Sequence, residues 1–250
     1  MILILSGTKD SRLIIKSLLA KGYKLVATTA TDYGGELIEK HQNLEIISTK
    51  LNQSQMENLI NEKTISLIVD TTHPYAQEVT ENAINASKNL SIPYIRYERK
   101  QTINSVGTRY SSYKEAAGAL ENCSGNILLT IGSNHLEDFS YLNKANNLYA
   151  RVLPTPYAIN KCVDMGLHPK QIIAMQGPFS QKLNEEIYRH YSIKYLVTKD
   201  SGAIGGMKEK LEAALRCNIK VIIIDRPKTN YGNISYEIDD LVKKIEDLLM

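Results

Sequence analysis

The chain has 250 residues, 43% hydrophobic and 23% charged, with a formal net charge of +3, the composition of an ordinary globular protein large enough to bury a real core. So small a charge, with no Lys/Arg block, argues against a nucleic-acid partner, and the apolar opening Met1–Leu5 is too short, and lacks the basic flank, for a signal or membrane segment. Three widely spaced cysteines without a CxxC pair fit reduced thiols in a cytoplasmic protein, and five histidines without ligand spacing give no reason to expect a metal site.

Short β-branched or Leu-rich runs alternate with helical periodicity along the chain, the pattern of parallel α/β architecture. The first series predicts strands at 2–5, 24–28, 44–47, 66–69 and 93–96. A helix over 12–21 places Leu13, Ile14, Ile15 and Leu18 on one apolar face. A second begins at Asn52 or Ser54 with Met56, Leu59 and Ile60 inward, and a third runs over 75–88 behind Pro74. The polar, aperiodic stretch 100–108 reads as a domain boundary, giving domains 1–100 and 101–250. The pattern then restarts, with strands at 127–130, 148–152, 171–175, 195–197 and 220–224. Helices fit 113–122, 135–143, 157–165, 180–191, 207–216 and a last amphipathic stretch, 238–249. The expected fold is α/β: two Rossmann-like domains with mainly parallel sheets and a ligand cleft between them.

Chemistry-bearing residues gather where predicted strands stop. Ser6-Gly7-Thr8 is either a pyrophosphate-binding turn or a plain tight βα turn, since it has one glycine and not three. Asp70-Thr71-Thr72-His73-Pro74 offers a carboxylate, hydroxyls and a proton-shuttling imidazole, or simply a local cap and turn. Arg96-Tyr97-Glu98-Arg99 can grip anions or pair internally. In the second half Thr130-Ile131-Gly132-Ser133, Arg151-Val152-Leu153-Pro154, Gln176-Gly177-Pro178-Phe179 and Thr198-Lys199-Asp200-Ser201-Gly202 follow the same rule. The last of these joins glycine freedom, a lysine beside an aspartate, and a helix start, which suits an anion or a proton transfer.

These segments, in this order over residues 2–227, resemble the precorrin-6A/cobalt-precorrin-6A reductase family. The most specific are His73-Pro74, Gly177-Pro178-Phe179 and Lys199-Asp200-Ser201-Gly202. Ser6, Tyr75 and the region near Gln101 depart from the family pattern. The resemblance implies an oxidoreductase of cobalamin biosynthesis. It would reduce one ring double bond of a polycarboxylate corrinoid, with or without cobalt, by hydride from NADPH or NADH. On that basis Gly7, Thr8, Ser133, Lys199, Asp200, Ser201 and Gly202 are expected at the nucleotide. Arg12, Arg96, Arg99 and Arg151 are expected to hold substrate carboxylates or cofactor phosphates. The proton donor is expected to be Lys199 or Asp200, then His73, with bound water close behind. Two rival readings are a two-domain transferase acting on a nucleotide sugar and a non-catalytic dinucleotide sensor; the number of polar loops in both halves speaks against the sensor.

Overall fold

The computed structural model describes residues 1–99, 106–144, 147–200 and 206–249. Its contacts divide the chain into two units, residues 1–100 with 227–250 and residues 101–226.

In the first unit, β1 (Ile2–Leu5), α1 (Lys9–Ala20), β2 (Leu25–Thr29), α2 (Asp32–Glu36), β3 (Leu44–Ser48), α3 (Gln53–Glu62), β4 (Leu67–Asp70), α4 (Gln77–Leu90) and β5 (Tyr94–Tyr97) succeed one another. All strand pairs are parallel, in the order β3-β2-β1-β4-β5. β1 and β4 are buried throughout, as expected of central strands covered on both faces. The hydroxyl of Thr8 caps α1, and Ser11 returns a bond to the Thr8 amide, closing a capping box. Ile14, Ile15 and Leu18 of α1 face the core, but Leu13 is 56% exposed, which corrects its expected place on the apolar face. α4 starts two residues later than its periodicity implied. The Ala76 amide bonds to the His73 carbonyl and the Tyr75 amide to His73 Nδ1, so a turn uses the first amides after Pro74.

The second unit repeats the plan. Its elements are β6 (Thr108–Tyr110), α5 (Tyr113–Gly118), β7 (Asn126–Thr130), β8 (Leu148–Val152), α6 (Pro156–Asp164), β9 (Ile172–Ala174), α7 (Gln181–His190), β10 (Ile193–Lys199), α8 (Met207–Arg216) and β11 (Lys220–Ile224). The order is β9-β8-β7-β10-β11-β6, again all parallel. β6 begins inside the stretch read as a boundary; three residues at a sheet edge are too few to show a period. The helix expected over 135–143 is a 3₁₀ segment, Glu137–Leu142.

Beyond Pro227 the chain returns to the first unit, where β12 (Ile234–Ser235) pairs with β5 and α9 (Ile238–Leu249) follows. Leu241, Val242 and Ile245 share one cluster with Ile2, Ile4, Ile14 and Leu18. The second domain therefore does not run to residue 250. An amphipathic stripe announces that a helix has a buried face, but not which sheet it covers. Strand order reverses beside β1 in one sheet and beside β7 in the other, the position where open α/β sheets bind ligands at their carboxyl ends. No described helix is long and apolar enough to cross a membrane.

Candidate active site

At the carboxyl end of the first sheet, Gly7 has φ +144, and a Cβ there would meet nothing within 4 Å. The backbone is thus open to close approach, in a conformation that favours glycine. Thr8 Oγ1 and Ser11 Oγ both donate to the Thr71 carbonyl, at 3.2 and 3.1 Å, tying the β1 turn to the β4 turn. Asp70 is fully buried. Its carboxylate accepts from the Thr72 amide and hydroxyl, the Thr80 hydroxyl, the Tyr94 hydroxyl and Arg96. Desolvation and the Asp70 charge raise the Tyr94 phenol well above its ordinary range, so it serves as a donor here.

Arg96 is 1% exposed. Its Nε donates to Glu98, Nη1 to Asp70 and the Thr72 hydroxyl, and Nη2 to the Thr72 carbonyl and Glu98. All five guanidinium N–H donors are used, which overturns the expectation that Arg96 grips a ligand. Arg99 pairs with buried Asp10 at 2.5 Å. Arg12 is half-buried and makes no ion pair with a described residue. His73 is half-buried, its ring 5.6 Å from that of Tyr75.

At the carboxyl end of the second sheet, Gly132 has φ +79, and a Cβ there would lie 4.0 Å from Lys199 Nζ. The β7 turn, with half-buried Ser133, thus meets the tip of β10. Burial lowers the Lys199 ammonium to about 8, which brings a proton donor into the working range. Its neighbour Asp200 points into a different environment. It is fully buried, 2.5 Å from Arg109 Nη2 and 3.7 Å from Arg226 Nη2, and Arg226 Nε also donates to its carbonyl. Two guanidinium groups thus engage the Asp200 carboxylate from within the second unit. Arg151 is buried, donates to Asn184 Oδ1 at 2.7 Å and lies 4.1 Å over the Phe179 ring. Burial lowers its pKa. Ser201 and Gly202 lie outside the described residues.

The sequence reading missed Arg109, which sits on the short edge strand, and Lys210, whose amine donates to Thr198 Oγ1. Arg226, just after β11, likewise stood outside the expected site. Lys210 did carry a signal, because it interrupts the apolar face Met207, Leu211, Ala214 of α8. Among the described residues no group of three or more His, Cys, Asp or Glu is placed to hold a metal ion.

Two all-parallel sheets with this strand order and glycine turns at their reversal points define an α/β protein of the nucleotide-binding class. The model of the precorrin-6x reductase CbiJ/CobK family matches residues 1–247. A cobalt-precorrin-6A reductase of Priestia megaterium is 37% identical over 97% of this chain and 96% of its own length. One of Methanocaldococcus jannaschii is 36% identical over 99% and 98%. A solved structure of CobK precorrin-6A reductase covers 99% of the chain and 96% of its own, with TM-score 0.79 and 24% identity, and so shares the fold. The chain belongs to the precorrin-6x reductase family and is an oxidoreductase of corrin biosynthesis.

Proposed function

We propose that the protein reduces one ring double bond of cobalt-precorrin-6A in the cytoplasm, with NADPH or NADH as reductant. The observation that carries this reading is full-length likeness, at 37% identity, to a relative named for that reaction. Both relatives above are named for the cobalt complex, which favours it over the metal-free ring.

The second rim suits a nucleotide phosphate. Its glycine turn exposes backbone beside Lys199, and α8 starts at left-handed Gly206 with no side-chain cap. Ser133 and Lys199 are the proposed nucleotide contacts on this rim, and on the first rim Gly7 and Thr8 are open to a ligand. Asp200 is engaged by Arg109 and Arg226 and ranks behind Lys199 as proton donor. Arg12 and Arg151 are the cations left to meet substrate carboxylates, while Arg96 and Arg99 serve their own rim.

When bound, the nicotinamide supplies a hydride, with its electron pair, to one carbon of the double bond. The adjacent carbon needs a proton, and Lys199 gives it, passing from ammonium to neutral amine. His73 is the second choice for this step. The test is anaerobic incubation of the pure protein with cobalt-precorrin-6A, or its metal-free form, and each reduced nucleotide, following the nicotinamide absorbance. Oxidation that requires the corrinoid supports the reading; no oxidation with any pairing overturns it.

A further inference from the structure

The Gly177-Pro178-Phe179 segment has no part in the chemistry above, but it is built against one buried cation. Arg151 is the penultimate residue of β8, in register with Ile173 of β9. The chain that leaves β9 for α7 brings two side chains onto it. The half-buried Phe179 ring lies 4.1 Å from the guanidinium carbon, covering one face of the group. Asn184 of α7, 1% exposed, accepts from Arg151 Nη1 at 2.7 Å. Its Nδ2 donates to the Ser180 carbonyl at 3.0 Å and reaches the Phe179 carbonyl at 3.5 Å. One carboxamide therefore ties the cation to the segment that carries the ring. Its orientation follows from its neighbours, since a guanidinium only donates and a carbonyl only accepts. Ser180 also caps α7 by accepting from the Leu183 amide. Gly177 completes the fit. A Cβ there would stand 3.0 Å from Phe179 Cε2 and 3.3 Å from Cδ2, so a side chain would push the ring away.

Arg96 uses every guanidinium donor on local acceptors, two carboxylates among them. Among the described residues, Arg151 has a single hydrogen-bond partner, a neutral amide, and no ion pair. Asn184 and Phe179 thus fix the plane of the group without cancelling its charge, as preorganised recognition of a carboxylate demands.

We propose that Asn184 and Phe179 are positioning residues, which hold the Arg151 guanidinium oriented and unneutralised for a carboxylate of the corrinoid. The proposal rests on the reductase reading, in which Arg151 meets substrate, and adds how that cation is held.

The test is steady-state kinetics of the full-length protein with cobalt-precorrin-6A and a reduced nucleotide, with the unfolding midpoint measured alongside. Asn184→Asp keeps an acceptor for Arg151 but makes it a carboxylate. The corrinoid KM rises about tenfold or more, while kcat and the nucleotide KM change little; a residue that only braced α7 would leave the corrinoid KM unmoved. Phe179→Leu raises the corrinoid KM about threefold, and Phe179→Tyr, which keeps the ring face, restores it. An unchanged corrinoid KM in a folded variant overturns the role of the residue changed, and if Asn184→Asp does not fold, the Phe179 pair decides. A rise in the nucleotide KM in place of the corrinoid one overturns the proposal as a whole. Absence of corrinoid-dependent oxidation by the unmodified protein overturns the reductase reading itself, a result distinct from the others.

Discussion

In the first unit the cation at the end of the sheet is surrounded: Arg96 spends every donor on Asp70, Thr72 and Glu98, and Tyr231 from the returning segment lies 5.2 Å from its guanidinium. In the second unit a carboxylate, Asp200, is held between Arg109 and Arg226, while Arg151 and Lys210 stand nearby with neutral hydrogen-bond partners. The strand order is the same, and each sheet fills its sixth place with a strand from outside its regular alternation: β12 arriving from the C-terminal end, or β6 preceding β7. The difference is one of balance. Around Arg96 the first rim is electrostatically closed, and that arginine has a structural use. On the second rim Arg151 and Lys210 rest on neutral partners, a less balanced arrangement of the kind that favours an anion.

The largest way to break this comparison is to remove residues 227–250. The first sheet then loses its edge strand and the cluster partners Leu241, Val242 and Ile245, each worth about 1.5–3 kcal/mol when fully buried. The expected outcome is loss of cooperative folding in the first unit with the second sheet retained, checked by amide hydrogen exchange. Protection retained in β1 and β4 would show that the returning segment is an ornament.

Next comes Asp70→Asn. It leaves Arg96 buried at the centre of a network built for a carboxylate, and breaking such a pair costs about 3–5 kcal/mol. Urea unfolding measures it. Arg109→Met should cost less, because Arg109 is 31% exposed and its second partner, Asp225, 42%. Equal losses would erase the contrast between a closed rim and an open one.

Lys199→Ala should act the other way, on rate rather than stability. Turnover falls by about 100-fold or more if the side chain is the general acid, with little change in the unfolding midpoint. In the unmodified enzyme, turnover falls as pH rises through about 8, where the ammonium loses its proton. That limb disappears in the variant. Near-normal turnover would remove Lys199 both as proton donor and as phosphate contact.

Much of this was legible in the sequence because the informative signals are local. Four-residue apolar strands such as Ile2–Leu5, the Gly7 and Gly132 turns and the Thr198-Lys199-Asp200 tip each announce themselves within a few residues. What escaped depends on who meets whom across the sheet. Arg96 and Arg151 look alike in the sequence, each an arginine near a strand end, but one meets Asp70 and Glu98 and the other Asn184 and Phe179. Asp200 beside Lys199 suggested a proton relay, but the Arg109 that engages it lies 91 residues away on a three-residue strand. The owner of α9 was hidden for the same reason.

The smallest expected effect is also the sharpest probe of the open rim. Burial and neighbouring cations put the folded Lys210 near 7, against about 10.4 in an unfolded chain. Between those values the unfolded state binds more protons, so this residue makes stability rise with pH. Its penalty is complete below about pH 7 and is relieved as pH approaches about 10. Lys210→Met therefore raises the midpoint of thermal unfolding, and by more at about pH 6 than at about pH 10. The gain is offset in part, because the variant also loses the bond to Thr198, worth about 1 kcal/mol. A lower midpoint at both pH values would mean that the amine is a stabilising hydrogen-bond donor, and that the second rim is as balanced as the first.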